Sequence, residues 1–161
     1  NGAFDDARTE VVIVDGVKYM AEGPAQSFEV ILVDSTDPIG PGEVLFTEEF
    51  YADCKRCLTP GGILVTQNGV PFFQPGEVTT TFQRLMPLFA DVSFYLTVVP
   101  TYVGGFMALG WATDDSSLRD ISIQDLRARV EAVRLSSNYY SPEVHKAAFE
   151  LPPFVAKLMR D

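Results

Sequence analysis

The chain has 161 residues, which is enough for one domain with its own hydrophobic core. Its net charge of -10 disfavours binding to nucleic acids and to anionic membrane surfaces, because both attract an excess of Lys and Arg. No apolar run approaches the roughly 20 residues of a membrane-spanning helix, and the scarcity of cysteines and the lack of a secretory signal predict a reducing, cytoplasmic location.

Two apolar strands are predicted in the first forty residues, and each ends at a carboxylate. Residues 10–14 are rich in β-branched side chains, which predicts a strand that ends at Asp15, and 17–21 follow as a short helix. Residues 28–33 are apolar almost throughout and end at Asp34. Such a continuous apolar run is typical of a strand that is covered on both faces of a parallel sheet.

Helices and strands alternate along the rest of the chain. Residues 47–58 predict a helix and 62–67 a third strand. The remaining predicted elements are a helix over 76–88, two neighbouring antiparallel strands over 91–101 and 104–113, and helices over 123–134 and 142–149. This order predicts an α/β fold. Ligands bind beyond the carboxyl ends of the strands in such sheets, so we expect Asp15, Asp34 and Gln67 to face one crevice.

The cysteines form a C-K-R-C motif, a spacing that redox and zinc sites also use. No second Cys pair accompanies Cys54 and Cys57, and the single histidine, His145, lies far along the chain. We therefore interpret the two thiols as small residues one helical turn apart, and we predict no metal site. His145 is interpreted as a structural residue of the last predicted helix, and Trp111 as a core residue.

Four motifs occur in a fixed order: VVIVDGVKYM, VILVDSTDPIGPGEVLFTEEFY, LTPGGILVTQNG and VPTYVGGFMALGWAT. Together with the tail YYSPEVHKAAFELPPFV, they resemble the polyamine aminopropyltransferases, specifically the bacterial spermidine synthases. The resemblance implies a class I methyltransferase-like (Rossmann-like) sheet with an antiparallel C-terminal hairpin. It also implies transfer of an aminopropyl group from decarboxylated S-adenosylmethionine to putrescine, which gives spermidine and 5'-methylthioadenosine. Decarboxylated S-adenosylmethionine is then a co-substrate, and no cofactor is expected.

The resemblance further implies that residues 1–161 are the C-terminal part of the catalytic domain. Members of the family have a small N-terminal β domain and two earlier nucleotide-binding strands, which this sequence lacks. We therefore expect an inactive fragment with exposed apolar sheet edges and weak nucleoside binding. For the complete protein the resemblance implies a homodimer or homotetramer.

The loop after the second predicted strand carries the expected catalytic base. By resemblance, Asp34 is that base, and it binds the ammonium groups of the diamine together with Asp37. The attacking amine has a pKa near 10, so a group within hydrogen-bond reach must accept its proton, and a carboxylate can do so. Ser35 and Thr36 complete the substrate-binding loop. The alternative interpretation of all four residues is ordinary turn chemistry.

Five further residues match positions of the family that contact substrates. Asp15 and Gly16 match an Asp-Gly pair that meets the adenine, and Pro41 matches a proline that lines the nucleoside pocket. Gln67 matches a residue that helps to hold the amine. Tyr102 matches a catalytic tyrosine whose hydroxyl lies near the attacking nitrogen. A strand-ending turn, a polar strand cap and an aromatic hairpin contact remain the structural alternatives for these residues.

Two other functions remain open. An S-adenosylmethionine-dependent methyltransferase would share the fold, although the two acids of the D-S-T-D loop favour a polycationic acceptor. A non-catalytic module that binds polyamines or a partner would be compatible with the missing upstream half.

Overall fold

A mixed sheet forms the centre of the computed structural model, which describes residues 2–160. Its strands are β1 (Phe28–Val33), β2 (Leu58–Gln67), β3 (Asp91–Val98) and β4 (Phe106–Thr113), in the spatial order β1-β2-β4-β3. Strands β1 and β2 are parallel, whereas β4 is antiparallel to both of its neighbours. The predicted α/β fold and the antiparallel pair near the C-terminus are therefore confirmed.

Helices connect and flank these strands. They are α1 (Gly16–Glu22), α2 (Glu48–Cys57), α3 (Pro75–Leu85), α4 (Ile123–Ala132), α5 (Pro142–Ala148) and α6 (Pro153–Lys157), with 3-10 turns over Ala3–Asp5, Gly40–Phe46 and Ser116–Asp120. Side-chain caps explain several of the starts, because Thr47, Ser122 and Ser141 each accept a backbone N–H of the first turn. The predicted helices match the observed ones to within three residues at each end, while α6 was not predicted.

One face of the sheet packs against helix α2 in the larger part of the core. The buried residues of this helix recur on one side of it, and Tyr51, Cys54 and Cys57 are fully buried. They pack in one cluster with Leu64 of β2. Burial raises the pKa of the Cys54 thiol to about 12, so this thiol stays protonated and unreactive. The interpretation of the two cysteines as helix residues is confirmed.

The opposite face of the sheet is covered only in part. The ring of Phe149, which follows α5, packs against Tyr95 of β3 and Trp111 of β4. At the other side of the same face, Val30 and Leu32 of β1 are 50% and 70% exposed. The expectation that β1 is covered on both faces is wrong within residues 2–160, because both side chains remain at least half exposed there.

The strand predicted over residues 10–14 is also absent. All five residues are exposed, and they pair with none of the four strands of the sheet. A strand needs neighbouring N–H and C=O groups to form its ladder, and the described part of the chain brings no such neighbour to this segment. β-branched composition alone therefore does not produce a strand here.

The two faces of the sheet give a stability test with matched leucines. Leu64→Ala removes a fully buried side chain, so we expect the free energy of unfolding to fall by about 2–5 kcal/mol. Leu32→Ala truncates a side chain that is 70% exposed, and we expect a change within about 0.5 kcal/mol. Urea unfolding of this chain and both variants measures the difference. Equal losses would show that the Leu32 face is covered after all.

Candidate functional site

Sheet pairing brings the ends of three strands to one edge. In the parallel pair, Val33 of β1 lies opposite Thr66 of β2, so the residues that follow both strands emerge together. Gln67 pairs with Leu109, and β4 begins only three residues before Leu109, which places the turn between β3 and β4 at that edge as well. The structure thus brings the predicted residues Asp34, Gln67 and Tyr102 to the same edge of the sheet.

The two carboxylates of the D-S-T-D loop have different surroundings. Asp34 is exposed, and its carboxylate makes no hydrogen bond within residues 2–160. Asp37 is half-buried, and its Oδ2 accepts a hydrogen bond from Gln74 Nε2 at 2.9 Å. Between them, Ser35 Oγ donates to the Thr36 carbonyl oxygen at 3.1 Å. One carboxylate is exposed and has no partner in this part of the chain, while the other is held in place by Gln74.

An open cavity of about 370 Å³ lies beside Asp37. Its lining consists of Asp37, Val70, Phe73, Gln74, Tyr102 and Val103. Tyr102 lines this cavity and is 52% exposed. A carboxylate and a phenol beside apolar walls suit a short chain that ends in an ammonium group. Asp34 is not part of this lining.

The side chain of Gln67 connects the D-S-T-D loop after β1 to the turn after β2. This side chain is 6% exposed. The hydrogen-bond network assigns its amide nitrogen to the Ser35 carbonyl oxygen at 3.1 Å and its amide oxygen to the Gly69 N–H at 3.0 Å. These contacts position the loop; a contact of Gln67 with an amine substrate stays a prediction.

The sequence did not reveal two further site residues, Gln74 and Glu77. Gln74 Nε2 donates to Asp37 Oδ2 and also to Glu77 Oε1 at 2.8 Å, while its Oε1 accepts the Val70 N–H at 3.0 Å. Burial, and then the negative charge of Asp37, raises the pKa of Glu77 to about 7. The spacing Q-P-G-E at a helix start resembles a local capping pattern, so nothing in it indicates a contact with Asp37.

Gly69 allows these side chains to approach the end of β2. Its φ of +63° lies in the left-handed region, and an added Cβ would lie 2.6 Å from Gln74 Oε1 and 2.8 Å from Glu77 Oε2. Any larger residue at this position would therefore collide with the amide and the carboxylate.

The residues predicted to meet the nucleoside belong to two neighbouring elements. Asp15 caps helix α1, because its Oδ1 accepts the N–H groups of Val17 and Lys18 at 2.9 and 3.1 Å. Gly16 begins that helix, and Pro41 lies exposed in the 3-10 turn over Gly40–Phe46. Asp15 does not follow a strand, and the nucleoside roles of all three residues stay predictions.

The structure describes the other singled-out residues in packing roles. His145 Nδ1 lies 3.3 Å from the Tyr140 hydroxyl, and Trp111 Nε1 donates to Asp91 at 3.3 Å. Among residues 2–160, no group of three or more His, Cys, Asp or Glu side chains is placed to hold a metal ion. Nor does any helix in this range have the length and apolar character needed to cross a bilayer.

The raised pKa of Glu77 makes stability depend on pH. Between the ordinary value of 4.5 and about 7, the folded chain holds a proton that the unfolded chain has lost. The stability that this proton contributes is present below pH 4.5 and is lost as the pH rises through about 7. We expect Glu77→Gln to gain stability relative to the parent chain over this range, in urea unfolding experiments. The exposed Glu131→Gln is the control, and equal pH dependence of the two variants would contradict the assignment.

Comparisons with known proteins identify relatives of this chain. Residues 1–122 match the family described as spermine/spermidine synthase domain. The chain is 56% identical over 157 residues to the polyamine aminopropyltransferase of Ruegeria sp. (strain TM1040), which covers 98% of this chain and 55% of that relative. The corresponding enzyme of Pseudomonas syringae pv. tomato is 52% identical over 155 residues, covering 96% of this chain and 54% of its own length.

Solved structures of the same type have the same fold. A crystal structure of spermidine synthase in complex with the transition-state analogue AdoDATO matches with a TM-score of 0.87 at 34% identity, over 98% of this chain and 53% of its own. Spermidine synthase from Thermotoga maritima matches with a TM-score of 0.84 at 32% identity, over 98% and 52%. The expected methyltransferase-like fold is thus confirmed, and the chain spans about half the length of the curated relatives it matches. This chain belongs to the spermine/spermidine synthase family.

Proposed function

We propose that this chain is the C-terminal part of a polyamine aminopropyltransferase, a spermidine synthase that acts on putrescine and decarboxylated S-adenosylmethionine. The observation that supports this most strongly is the D-S-T-D loop at the sheet edge, where Asp37 and Tyr102 line one cavity. The sequence relatives with this activity name are about half identical to the chain over nearly all of its length.

The reaction requires a neutral amine and a proton acceptor. The nitrogen lone pair of putrescine attacks the aminopropyl carbon beside the sulfonium, the carbon–sulfur bond breaks, and 5'-methylthioadenosine leaves as a neutral thioether. The nitrogen then carries an extra proton, and we assign to Asp34 the role of accepting it. This carboxylate is exposed and has no hydrogen-bond partner within residues 2–160, so it can reach and accept that proton. Because a carboxylate is a weak base, positioning and electrostatics share the work.

Asp37 and Tyr102 would hold the diamine. Gln74 occupies Oδ2 of Asp37, and Oδ1 has no partner in the described part of the chain, so it remains for an ammonium group. Val70 and Phe73 line the same cavity and would contact the methylene carbons. The Tyr102 hydroxyl would orient the attacking nitrogen. Ser35 and Thr36 complete the loop around the amine.

The nucleoside part of the donor would lie on the other side of the loop. Asp15, Gly16 and Pro41 remain our candidates for adenine and nucleoside contacts, and the half of the relatives that this chain does not match would supply the remainder. Binding of 5'-methylthioadenosine to this chain alone is therefore expected to be weak. For the complete enzyme we propose a homodimer or homotetramer and a cytoplasmic location.

A chimera tests the activity directly. It joins this chain to the half of the Ruegeria relative that the chain does not match, which supplies a complete enzyme. With putrescine and decarboxylated S-adenosylmethionine we expect spermidine and 5'-methylthioadenosine, identified by mass spectrometry. With S-adenosylmethionine we expect no product. Methylated putrescine, or no transfer from either donor, would contradict the proposal.

Substitution of the base separates chemistry from binding. In the chimera, we expect Asp34→Asn to lower kcat by about 10²–10⁴-fold, because the amide keeps the shape but accepts no proton at neutral pH. The Kd of 5'-methylthioadenosine, measured by calorimetry, should change less than about twofold, since the proposed nucleoside contacts are made by other residues. Near-normal turnover would remove Asp34 from the role of base.

Substitution of the second acid should affect the diamine alone. Asp37→Asn removes the negative charge that attracts the ammonium group, so we expect KM for putrescine to rise roughly tenfold, the loss of about one charge-assisted hydrogen bond. KM for the donor should stay unchanged. Asp120→Asn, an exposed site in the 3-10 turn that follows β4, is the control. A selective loss of donor affinity in Asp37→Asn would refute the assignment.

A further inference from the structure

The side chain of Gln74 connects three parts of the candidate site. Its nitrogen carries two hydrogens, and the two acceptors of this nitrogen are Asp37 Oδ2 at 2.9 Å and Glu77 Oε1 at 2.8 Å. Its oxygen accepts the Val70 N–H at 3.0 Å, after the end of β2. Every hydrogen-bonding atom of the amide is therefore used, and the D-S-T-D loop is joined to the start of α3.

The amide also holds two carboxylates that would otherwise repel each other. Glu77 Oε2 is buried and has no hydrogen-bond partner within residues 2–160, so its negative charge is poorly solvated there. Glu77 lines a second cavity of about 230 Å³, whose other charged lining groups are Glu43 and Arg84. Arg84 Nη1 donates to the Phe46 carbonyl oxygen, and it makes no salt bridge with Glu77. A cation that enters beside Asp37 would favour the ionised form of Glu77.

We propose that Gln74 and Glu77 are positioning residues for the diamine: Gln74 fixes the Asp37 carboxylate, and Glu77 places a second negative charge behind it. The pair then sets the affinity for the acceptor without affecting the donor. This inference rests on the proposed aminopropyl transfer. It assigns the preference for a doubly charged amine to three residues, Asp37, Gln74 and Glu77, of which the D-S-T-D loop contains only the first.

The test uses the chimera and an isosteric substitution. Gln74→Met keeps the length of the side chain but removes its three hydrogen bonds. We expect KM for putrescine to rise about tenfold, the equivalent of one hydrogen bond to a charged group, while KM for the donor changes less than about twofold. Gln83→Met, an exposed glutamine on the same helix, is the matched control and should leave both constants unchanged.

A second variant provides a readout that a purely structural role would not change. Because the pKa of Glu77 lies at about 7, its charge appears as the pH rises through that value. The ratio of kcat/KM for putrescine between the parent chimera and Glu77→Gln should therefore increase from pH about 6 to about 8. The same ratio for the donor should remain flat. This comparison stays decisive if Gln74→Met does not fold.

The possible outcomes separate the two claims. Turnover of the parent chimera reports on the proposed function by itself. If the parent turns over but Gln74→Met behaves like Gln83→Met, the positioning role is overturned while the function stands. A parent-to-Glu77→Gln ratio for putrescine that is constant with pH also overturns it. A rise in KM for putrescine alone, together with a pH-dependent ratio, supports it.

Discussion

The parallel pairing of β1 with β2 is the constraint on which the site depends. It sets Val33 opposite Thr66, so that the D-S-T-D loop and the turn after Gln67 leave the sheet side by side. The same register directs Leu64 into the helix-covered core and Leu32 to the open face. A slip of one residue would exchange these faces and remove the acids from the edge.

Neutral side chains, not cations, hold the acidic edge together. The buried amide of Asn68 accepts a hydrogen bond from the Gly110 N–H and donates one to Thr81. The amides of Gln67 and Gln74 hold the neighbouring turns in place through their own hydrogen bonds. Within residues 2–160 the salt bridges lie elsewhere, and none involves Asp34, Asp37 or Glu77. Amide donors fix the geometry without cancelling the negative charge. The charge therefore remains available for a cationic ligand, in keeping with the proposed acceptor.

The sequence predicted what depends on local pattern. Helices α1 to α5, the four strands that form and the D-S-T-D loop followed from periodicity, caps and turn residues. The strand predicted over residues 10–14 does not form, because a strand requires a second segment to pair with. The β-branched residues of the segment itself do not reveal whether such a partner is present. The exposure of Leu32 could not be predicted for the same reason, because whether another element covers this side chain depends on tertiary packing.

The site residues also fall into two groups: those that the sequence places and those that only tertiary packing brings together. Asp34 and Gln67 could be placed at one edge because strand ends are visible in the sequence, whereas Tyr102 was singled out only by the family resemblance. Gln74 and Glu77 could not be placed there, since their partner Asp37 lies almost 40 positions earlier and helix α3 brings them together only through packing. Asp15 illustrates the converse: the residue was predicted at a strand end, and its carboxylate is used as a helix cap.

The central claim is that the cavity between Asp37 and Tyr102 receives one end of the diamine. A crystal structure of the chimera with putrescine and 5'-methylthioadenosine tests it most directly. We expect one nitrogen of putrescine at about 3 Å from the Asp37 carboxylate, with the other directed toward Asp34. Putrescine bound elsewhere, with the cavity filled only by water, would contradict the account.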